Sequence, residues 1–159
     1  MRWCIFAVVS FALTIPGCNN EYLPPTSSGL NGPSLLQIVS QAASDNHVPA
    51  ALVYAVLQTE SGGDPNARSV DGAMGLMQLM PATAQECGIR HPFDPRDNVE
   101  CGASYLSRML ARFGNNMTLA IAAYRSGPGA VARYHGVPPQ AQSYVQRVMT
   151  LYRNANELQ

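Results

Sequence analysis

The sequence contains no lysine: all ten basic residues are arginine, and ten acidic residues balance them to a formal net charge of zero. Charged residues make up only 13% of the chain. This balance provides no electrostatic basis for binding nucleic acid, so we expect no nucleic-acid partner. A hydrophobic content of 47% excludes a disordered chain and is enough for the core of one globular domain.

The sequence also lacks a hydrophobic run long enough to cross a bilayer comfortably. The longest run, Trp3 to Ile15, follows Arg2 and is typical of an export signal. It ends in Ile-Pro-Gly-Cys, which resembles a bacterial lipobox, the motif that is cleaved before a cysteine that becomes lipidated. Pro16 departs from the usual small or aliphatic residue, which leaves two alternatives, lipidation of Cys18 and simple secretion. We predict a signal peptide at residues 1–17 and export to the periplasm, as an outer-membrane lipoprotein if Cys18 carries lipid.

Residues 18–33 are rich in Asn, Pro, Ser and Gly and show no periodicity. Such a composition predicts a flexible tether. The folded domain is therefore expected at residues 34–155.

Cysteine and histidine are scarce in that domain. Cys87 and Cys101 are its only cysteines, and in an oxidising compartment we expect them to pair, with two buried free thiols as the alternative. None of the three histidines is spaced from a cysteine as in a metal site, so no metal is expected.

The domain predicts a mainly α fold, with little or no β-sheet and at most a short hairpin. Ser34 is a suitable N-cap for the first helix, Asp97 for the longest one, and Gly114 a suitable stop. Helical patterns or helix-start signals occur at residues 34–47, 49–61, 75–80, 81–87, 98–113, 117–127, 128–136 and 138–155.

Glu60 is placed unusually for a carboxylate. Val53, Val56, Leu57 and Glu60 follow the spacing i, i+3, i+4 and i+7, so they share one stripe of a helix that ends in Ser61-Gly-Gly. An apolar stripe and the negative end of the helix dipole both raise the pKa of a carboxyl group, which makes Glu60 a candidate general acid. The alternatives are a buried glutamate satisfied by an arginine or a backbone donor, and one exposed by fraying.

Two segments connect Glu60 to a known family: ESGGDPNARSVDGAMGLMQLMPATA at residues 60–84 and AAYRSGPGAV at residues 122–131. They contain, in order, Glu-Ser, Asp-Pro-Asn-Ala-x-Ser, Gly-x-x-Gly-Leu-Met-Gln and Ala-Tyr. This pattern resembles the soluble lytic transglycosylase family, lysozyme-like enzymes that cleave bacterial peptidoglycan and are related to goose-type lysozymes. The resemblance extends over roughly residues 34–152 and implies a lysozyme-like helical domain with a substrate cleft.

The resemblance also implies roles for single residues. Glu60 would be the catalytic acid and later the base, and Ser69 would form a hydrogen bond near the reacting sugar. Gln78 and Met80 would line the glycan cleft. Without the resemblance, Met80 would be an ordinary core residue and Ser69 a turn residue.

Further along the chain, Tyr124 matches a tyrosine held close to the catalytic glutamate, and Tyr144 matches a C-terminal aromatic residue of the cleft. Core packing is the plain alternative for Tyr144. Arg125 stands where the family has an asparagine that binds sugar substituents or braces the site, so it is expected to alter affinity or product pattern. Gln140 replaces an acidic residue of the family.

The implied reaction cleaves the bond between N-acetylmuramic acid and N-acetylglucosamine without water and leaves a 1,6-anhydro end. It requires no cofactor, and its partner is the peptidoglycan glycan strand, bound by a monomer. Hydrolysis is an alternative, with Asp64 or Asp71 holding a water. A second alternative is an inactive wall-binding or secretion-complex protein. Arg125 favours this alternative, and Glu60 argues against it. Small relatives often serve secretion or conjugation machinery, which is a further candidate partner.

Overall fold

The computed structural model describes residues 33–157. The predicted signal peptide, Cys18 and nearly all of the predicted tether lie outside the described residues. Seven α-helices follow one another along the described chain, and a 3-10 helix, Pro139–Ala141, precedes the last of them. The helices are α1 Leu35–Asp45, α2 Ala50–Ser61, α3 Pro81–Glu86, α4 Pro95–Arg112, α5 Met117–Ser126, α6 Pro128–Tyr134 and α7 Gln142–Glu157.

The mainly α fold class is confirmed. Over residues 33–157 no strand forms, and β pairing is limited to two isolated bridges, Arg68–Met74 and Met74–Leu79. None of the helices in this range is long and apolar enough to span a membrane.

The helix starts show where sequence signals succeed and fail. Ser34 is the N-cap of α1, as predicted, and forms a reciprocal capping box with Gln37. The prediction that Asp97 caps the longest helix is wrong. That helix begins at Pro95, and the side chain of Asp94 accepts hydrogen bonds from the backbone N–H groups of Arg96 and Asp97. Proline is favoured in the first helical turn because a backbone N–H at that position would have no partner within the helix. Pro95 therefore starts α4 three residues before the predicted start at residue 98.

The predicted short helix at residues 75–80 is also wrong, because this segment forms a turn. Gly75 and Gln78 both have positive φ, at 73° and 47°, which an α-helix does not allow. The backbones of Met74 and Leu79 instead exchange two hydrogen bonds of 2.9 Å across the turn. A Cβ at Gly75 would collide with the side chain of Asn98 and the carbonyl oxygen of Pro92, so only glycine fits.

Helix α2 forms the centre of the core. It packs against α1, α4 and α7, and six of its residues are buried: Ala51, Leu52, Val53, Ala55, Val56 and Leu57. Burying each large aliphatic side chain contributes about 1.5–3 kcal/mol. A helix held on three sides in this way presents the residues of its last turn at a fixed position.

The structure contains a disulfide between Cys87 and Cys101, with an S–S distance of 2.02 Å. Cys87 follows α3 directly and Cys101 lies in α4, so the bond attaches the short α3 to the longest helix.

Candidate active site

Glu60 lies in the last turn of α2, where the apolar stripe meets the protein surface. Val53, Val56 and Leu57 of that stripe are fully buried, and Glu60 is partly buried. The helix ends immediately afterwards because Gly62 adopts a left-handed conformation with φ 64°. The apolar stripe therefore runs from the core to the surface, and its last member is a carboxyl group.

The carboxyl group of Glu60 is held by a tyrosine from the other end of the domain. The hydroxyl of Tyr144, on α7, donates a 2.7 Å hydrogen bond to Oε1 of Glu60. Tyr144 is buried, with 9% of its surface exposed, and the packing of α7 against α2 brings the two residues together. A short bond to a buried donor restricts the carboxyl group to one orientation.

Burial raises the pKa of Glu60 above its ordinary value of 4.5, and the hydrogen bond from Tyr144 and the charge of Arg125 oppose this rise. Burial also raises the pKa of Tyr144 well above 10.0, and the neighbouring Glu60 adds to that rise. Tyr144 therefore stays a hydrogen-bond donor. Glu60 keeps its proton to a higher pH than a solvent-exposed glutamate, as a general acid must.

A pocket of about 330 Å³ opens beside Glu60. Glu60 is the one carboxylate among the described residues that line it: Thr59, Glu60, Gln78, Arg125, Gln140, Ser143, Tyr144 and Arg147. A larger groove of about 520 Å³ runs along α1 beside Arg96. We assign the candidate site to the smaller pocket because it contains the carboxyl group with the raised pKa.

The three other residues predicted from the first motif segment, which begins at Glu60, lie in different surroundings. Gln78 lines the pocket, and its side-chain amide also donates to the carbonyl oxygens of Ala67 and Gly75, at 3.1 and 2.9 Å. The hydroxyl of Ser69 accepts a 2.9 Å bond from the backbone N–H of Ala73, so it closes the loop before the turn. Met80 precedes α3 and is 45% exposed. Neither Ser69 nor Met80 lines this pocket.

Tyr124 is bonded to the turn that carries Gln78. Its hydroxyl donates a 2.9 Å hydrogen bond to the carbonyl oxygen of Met77, and its ring packs edge-on against Tyr105. Burial, followed by the nearby charge of Glu60, raises the pKa of Tyr124 well above 10.0. Tyr124 is thus close enough to sense Glu60, while the hydrogen bond to Glu60 comes from Tyr144.

Arg125 and Gln140, the two departures from the family pattern, both line the pocket. The guanidinium carbon of Arg125 lies 5.7 Å from the centroid of the Tyr144 ring, within the range of a cation–π contact. Arg125 thus lies near the ring whose hydroxyl is bonded to Glu60, and its charge opposes the rise in the pKa of that carboxyl group.

Sequence reasoning missed Asn98, which shapes the turn beside the pocket. Asn98 is 1% exposed, and its Oδ1 accepts a 2.7 Å bond from the backbone N–H of Met77. Its Nδ2 donates to the carbonyl oxygens of Met74 and Pro92, at 2.9 and 2.7 Å. An asparagine next to Val99 on the buried side of a long helix was the available signal. Sequence reasoning also missed Arg147, a pocket-lining residue on the exposed side of α7.

Comparison with known proteins identifies relatives of this chain. The family model described as the transglycosylase SLT domain matches residues 37–146. The chain is 43% identical over 91 residues to the transglycosylase of Enterobacteria phage PRD1, covering 57% of this chain and 34% of that protein. It is 37% identical over 103 residues to the soluble lytic murein transglycosylase of Escherichia coli strain K12, covering 58% and 16%. The chain thus spans between about a sixth and a third of these two curated relatives.

Solved structures show the same fold. An inactive mutant of lytic transglycosylase Slt from Pseudomonas aeruginosa matches with a TM-score of 0.68 and 30% identity, over 73% of this chain and 23% of that one. The 70-kDa soluble lytic transglycosylase in complex with bulgecin A matches with a TM-score of 0.72 and 26% identity, over 77% and 24%. Since the family model covers most of the described domain, the chain belongs to the transglycosylase SLT domain family.

Proposed function

We propose that this protein is a peptidoglycan lytic transglycosylase and that Glu60 is its catalytic acid and base. The observation that carries the proposal is the position of Glu60: a carboxyl group with a raised pKa, held by Tyr144 at the rim of a pocket. Relatives named as lytic transglycosylases support it, and the Slt of P. aeruginosa is inactive when one glutamate is replaced by glutamine.

In the first step, Glu60 donates its proton to the glycosidic oxygen between N-acetylmuramic acid and N-acetylglucosamine. The bond from C1 of muramic acid to that oxygen breaks, and the N-acetylglucosamine side leaves as an alcohol. The oxygen of the substrate's own 2-acetamido group stabilises the positive charge that develops at C1. The raised pKa of Glu60 favours this step because the carboxyl group keeps its proton to a higher pH than an exposed glutamate does.

In the second step, the carboxylate of Glu60 accepts the proton of the muramyl 6-hydroxyl group. The 6-oxygen then attacks C1 of the same sugar and closes a 1,6-anhydro ring, so that Glu60 is protonated again and no water is consumed. An intramolecular nucleophile has a high effective concentration, which makes a second enzyme carboxylate unnecessary.

The described pocket favours this route over hydrolysis. A glycosidase that uses water generally needs a second carboxyl group to activate it. Asp64 and Asp71, the two candidates for that role, are exposed and do not line the pocket. The side chain of Asp64 accepts a 2.8 Å bond from the backbone N–H of Asn66 and so stabilises the adjacent loop.

The proposal is tested by comparing the clearing of purified sacculi by the parent protein and by Glu60→Gln. We expect the substitution to abolish clearing. The variant should still bind sacculi and unfold cooperatively on heating. Glu100→Gln is the matched control: Glu100 is exposed on α4, and glutamine keeps the oxygen that accepts the 2.7 Å bond from Asn46. Equal clearing by Glu60→Gln and the parent would refute the assignment of Glu60. Binding without clearing by the parent itself would instead support the inactive wall-binding alternative.

We also propose export to the periplasm, with lipid attached at Cys18, and action as a monomer, on its own or beside secretion or conjugation machinery. Relatives named membrane-bound lytic murein transglycosylases support an exported location. Labelling of cells with a fatty-acid probe tests the anchor: we expect labelled parent protein and no label on Cys18→Ala. Label on both, or on neither, would refute lipidation of Cys18.

A further inference from the structure

The pocket beside Glu60 contains more positive charge than the proposed reaction uses. Arg125 and Arg147 both line it, from α5 and α7. Among the charged side chains that the structure describes, one oppositely charged pair approaches within 4 Å, Arg108 and Glu86 at 3.6 Å. No described carboxylate therefore forms an ion pair with either pocket arginine.

The two arginines are positioned on the same pocket by the packing of their helices. Arg125 lies in the last turn of α5 and stacks on the ring of Tyr144. Arg147 follows Ser143 and Tyr144 by four and three residues on α7, so these three side chains share one helix face. Ser143 and Gln140 add a hydroxyl and an amide to the same lining.

Such a lining favours an anion. Each guanidinium offers five N–H donors in a planar fork that matches a carboxylate, and it has no acceptor. Two unpaired cations on one pocket also repel each other, and a bound anion relieves that repulsion. Glu60 does not fill this role while it carries the proton that the first catalytic step requires.

We infer that Arg125 and Arg147 form a subsite for the lactyl carboxylate of the muramic acid at the cleaved bond. The inference rests on the proposed function, because that function places muramic acid beside Glu60. The lactyl group ends in a free carboxylate when the strand carries no peptide, and in a neutral amide when a peptide is attached. The arginine pair therefore selects for strands from which the peptides have been removed.

The test compares three glycan strands of equal length: peptide-free strands, the same strands with each lactyl carboxylate converted to an N-methylamide, and peptide-bearing strands. The measured quantity is kcat/KM for the parent, Arg125→Gln and Arg147→Gln at low ionic strength. The matched control is Arg153→Gln, which also changes an exposed arginine on α7 but lies outside the pocket. Since Arg125, Arg147 and Arg153 are all exposed, we expect the variants to fold, and circular dichroism checks this.

We expect the parent to prefer the carboxylate strand over the methylamide strand by about tenfold, because each solvent-accessible ion pair contributes at most about fivefold. Arg125→Gln and Arg147→Gln should each lower that ratio by about threefold, while Arg153→Gln leaves it unchanged. The ratio is the deciding quantity because any change in the pKa of Glu60 caused by Arg125→Gln affects both strands alike. Equal kcat/KM for the two peptide-free strands would overturn the inference. Fast cleavage of peptide-bearing strands that depends on both arginines would overturn it too, because the bound carboxylate would then belong to the peptide.

Failure of the proposed function gives a different result. If the parent cleaves none of the three strands, the function is wrong. The subsite is then tested by the Kd of the carboxylate and methylamide strands for the parent and the two arginine variants. A tenfold tighter Kd for the carboxylate strand that depends on both arginines would support the subsite, and equal Kd values would overturn it.

Discussion

Replacing Asn98 by alanine tests how the turn beside the pocket is held. Asn98 links three backbone groups from two segments: the N–H of Met77 and the carbonyl oxygens of Met74 and Pro92. Alanine would leave the helical position of residue 98 intact and remove all three bonds. The substitution therefore separates the support of the turn from the formation of α4.

The size of the effect follows from the partners that remain. The carbonyl oxygen of Met74 still accepts a 2.9 Å bond from the N–H of Leu79, so it is not left without a partner. The N–H of Met77 and the carbonyl oxygen of Pro92 lose the bonds that Asn98 makes, and each costs about 1–3 kcal/mol when buried without a partner. We therefore expect Asn98→Ala to lower the free energy of unfolding by about 2–6 kcal/mol, a large part of the roughly 5–15 kcal/mol typical of a domain.

Urea unfolding measures this loss as a shift of the midpoint, provided that the variant and the parent have the same m-value. Asn154→Ala is the control. Asn154 is exposed on α7, so its replacement should change the free energy of unfolding by less than about 0.5 kcal/mol. Sacculus clearing by Asn98→Ala should fall as well, because the turn carries Gln78 into the pocket. A loss below about 1 kcal/mol for Asn98→Ala would refute the view that Asn98 holds the turn.

Three further predictions concern Glu60 and the disulfide. Tyr144→Phe removes a hydrogen bond that lowers the pKa of Glu60, so that pKa should rise and the alkaline limit of clearing in a pH–rate profile should move upward; an unchanged or lower limit would contradict this. The pKa of Glu60 is higher in the folded protein than in the unfolded chain, so the unfolded chain loses the Glu60 proton at lower pH. The stability contributed by the protonated carboxyl group is therefore full below pH 4.5 and is lost as pH rises through the native pKa. Urea titrations should accordingly show Glu60→Gln gaining stability over the parent with rising pH across that window, and a constant difference would contradict it. Reduction of Cys87–Cys101, whose sequence separation is 14, should cost about 3 kcal/mol of unfolding free energy, and a reductant that leaves the urea midpoint unchanged would refute this.

The helices were predictable because their signals are local. Capping by Ser34, apolar spacing in α2 and the left-handed Gly62 are each encoded within a few residues. The turn at residues 75–80 was not predictable in this way, since its apolar composition suits a helix equally well. What decides its conformation is the close approach of Asn98 and Pro92 to Gly75, a contact that exists only after folding.

The site shows the same division between local and non-local information. The helical stripe is sufficient to place Glu60 at the end of α2, whereas its hydrogen-bond partner Tyr144 lies 84 residues away. The i, i+3 spacing places Arg147 on the helix face of Tyr144, but no spacing rule connects Arg147 to Glu60, and only the packing of α7 on α2 brings it to the pocket. The catalytic role of Glu60 and the substrate-binding roles of its neighbours stay predictions.

We propose that Glu60 drives bond cleavage without water. Digestion of peptidoglycan in water enriched in oxygen-18, followed by mass spectrometry of the new muramic acid ends, tests this most directly. We expect 1,6-anhydro ends without the heavy isotope for the parent protein, and no new ends for Glu60→Gln. Reducing ends that carry oxygen-18 would contradict it and identify the protein as a hydrolase.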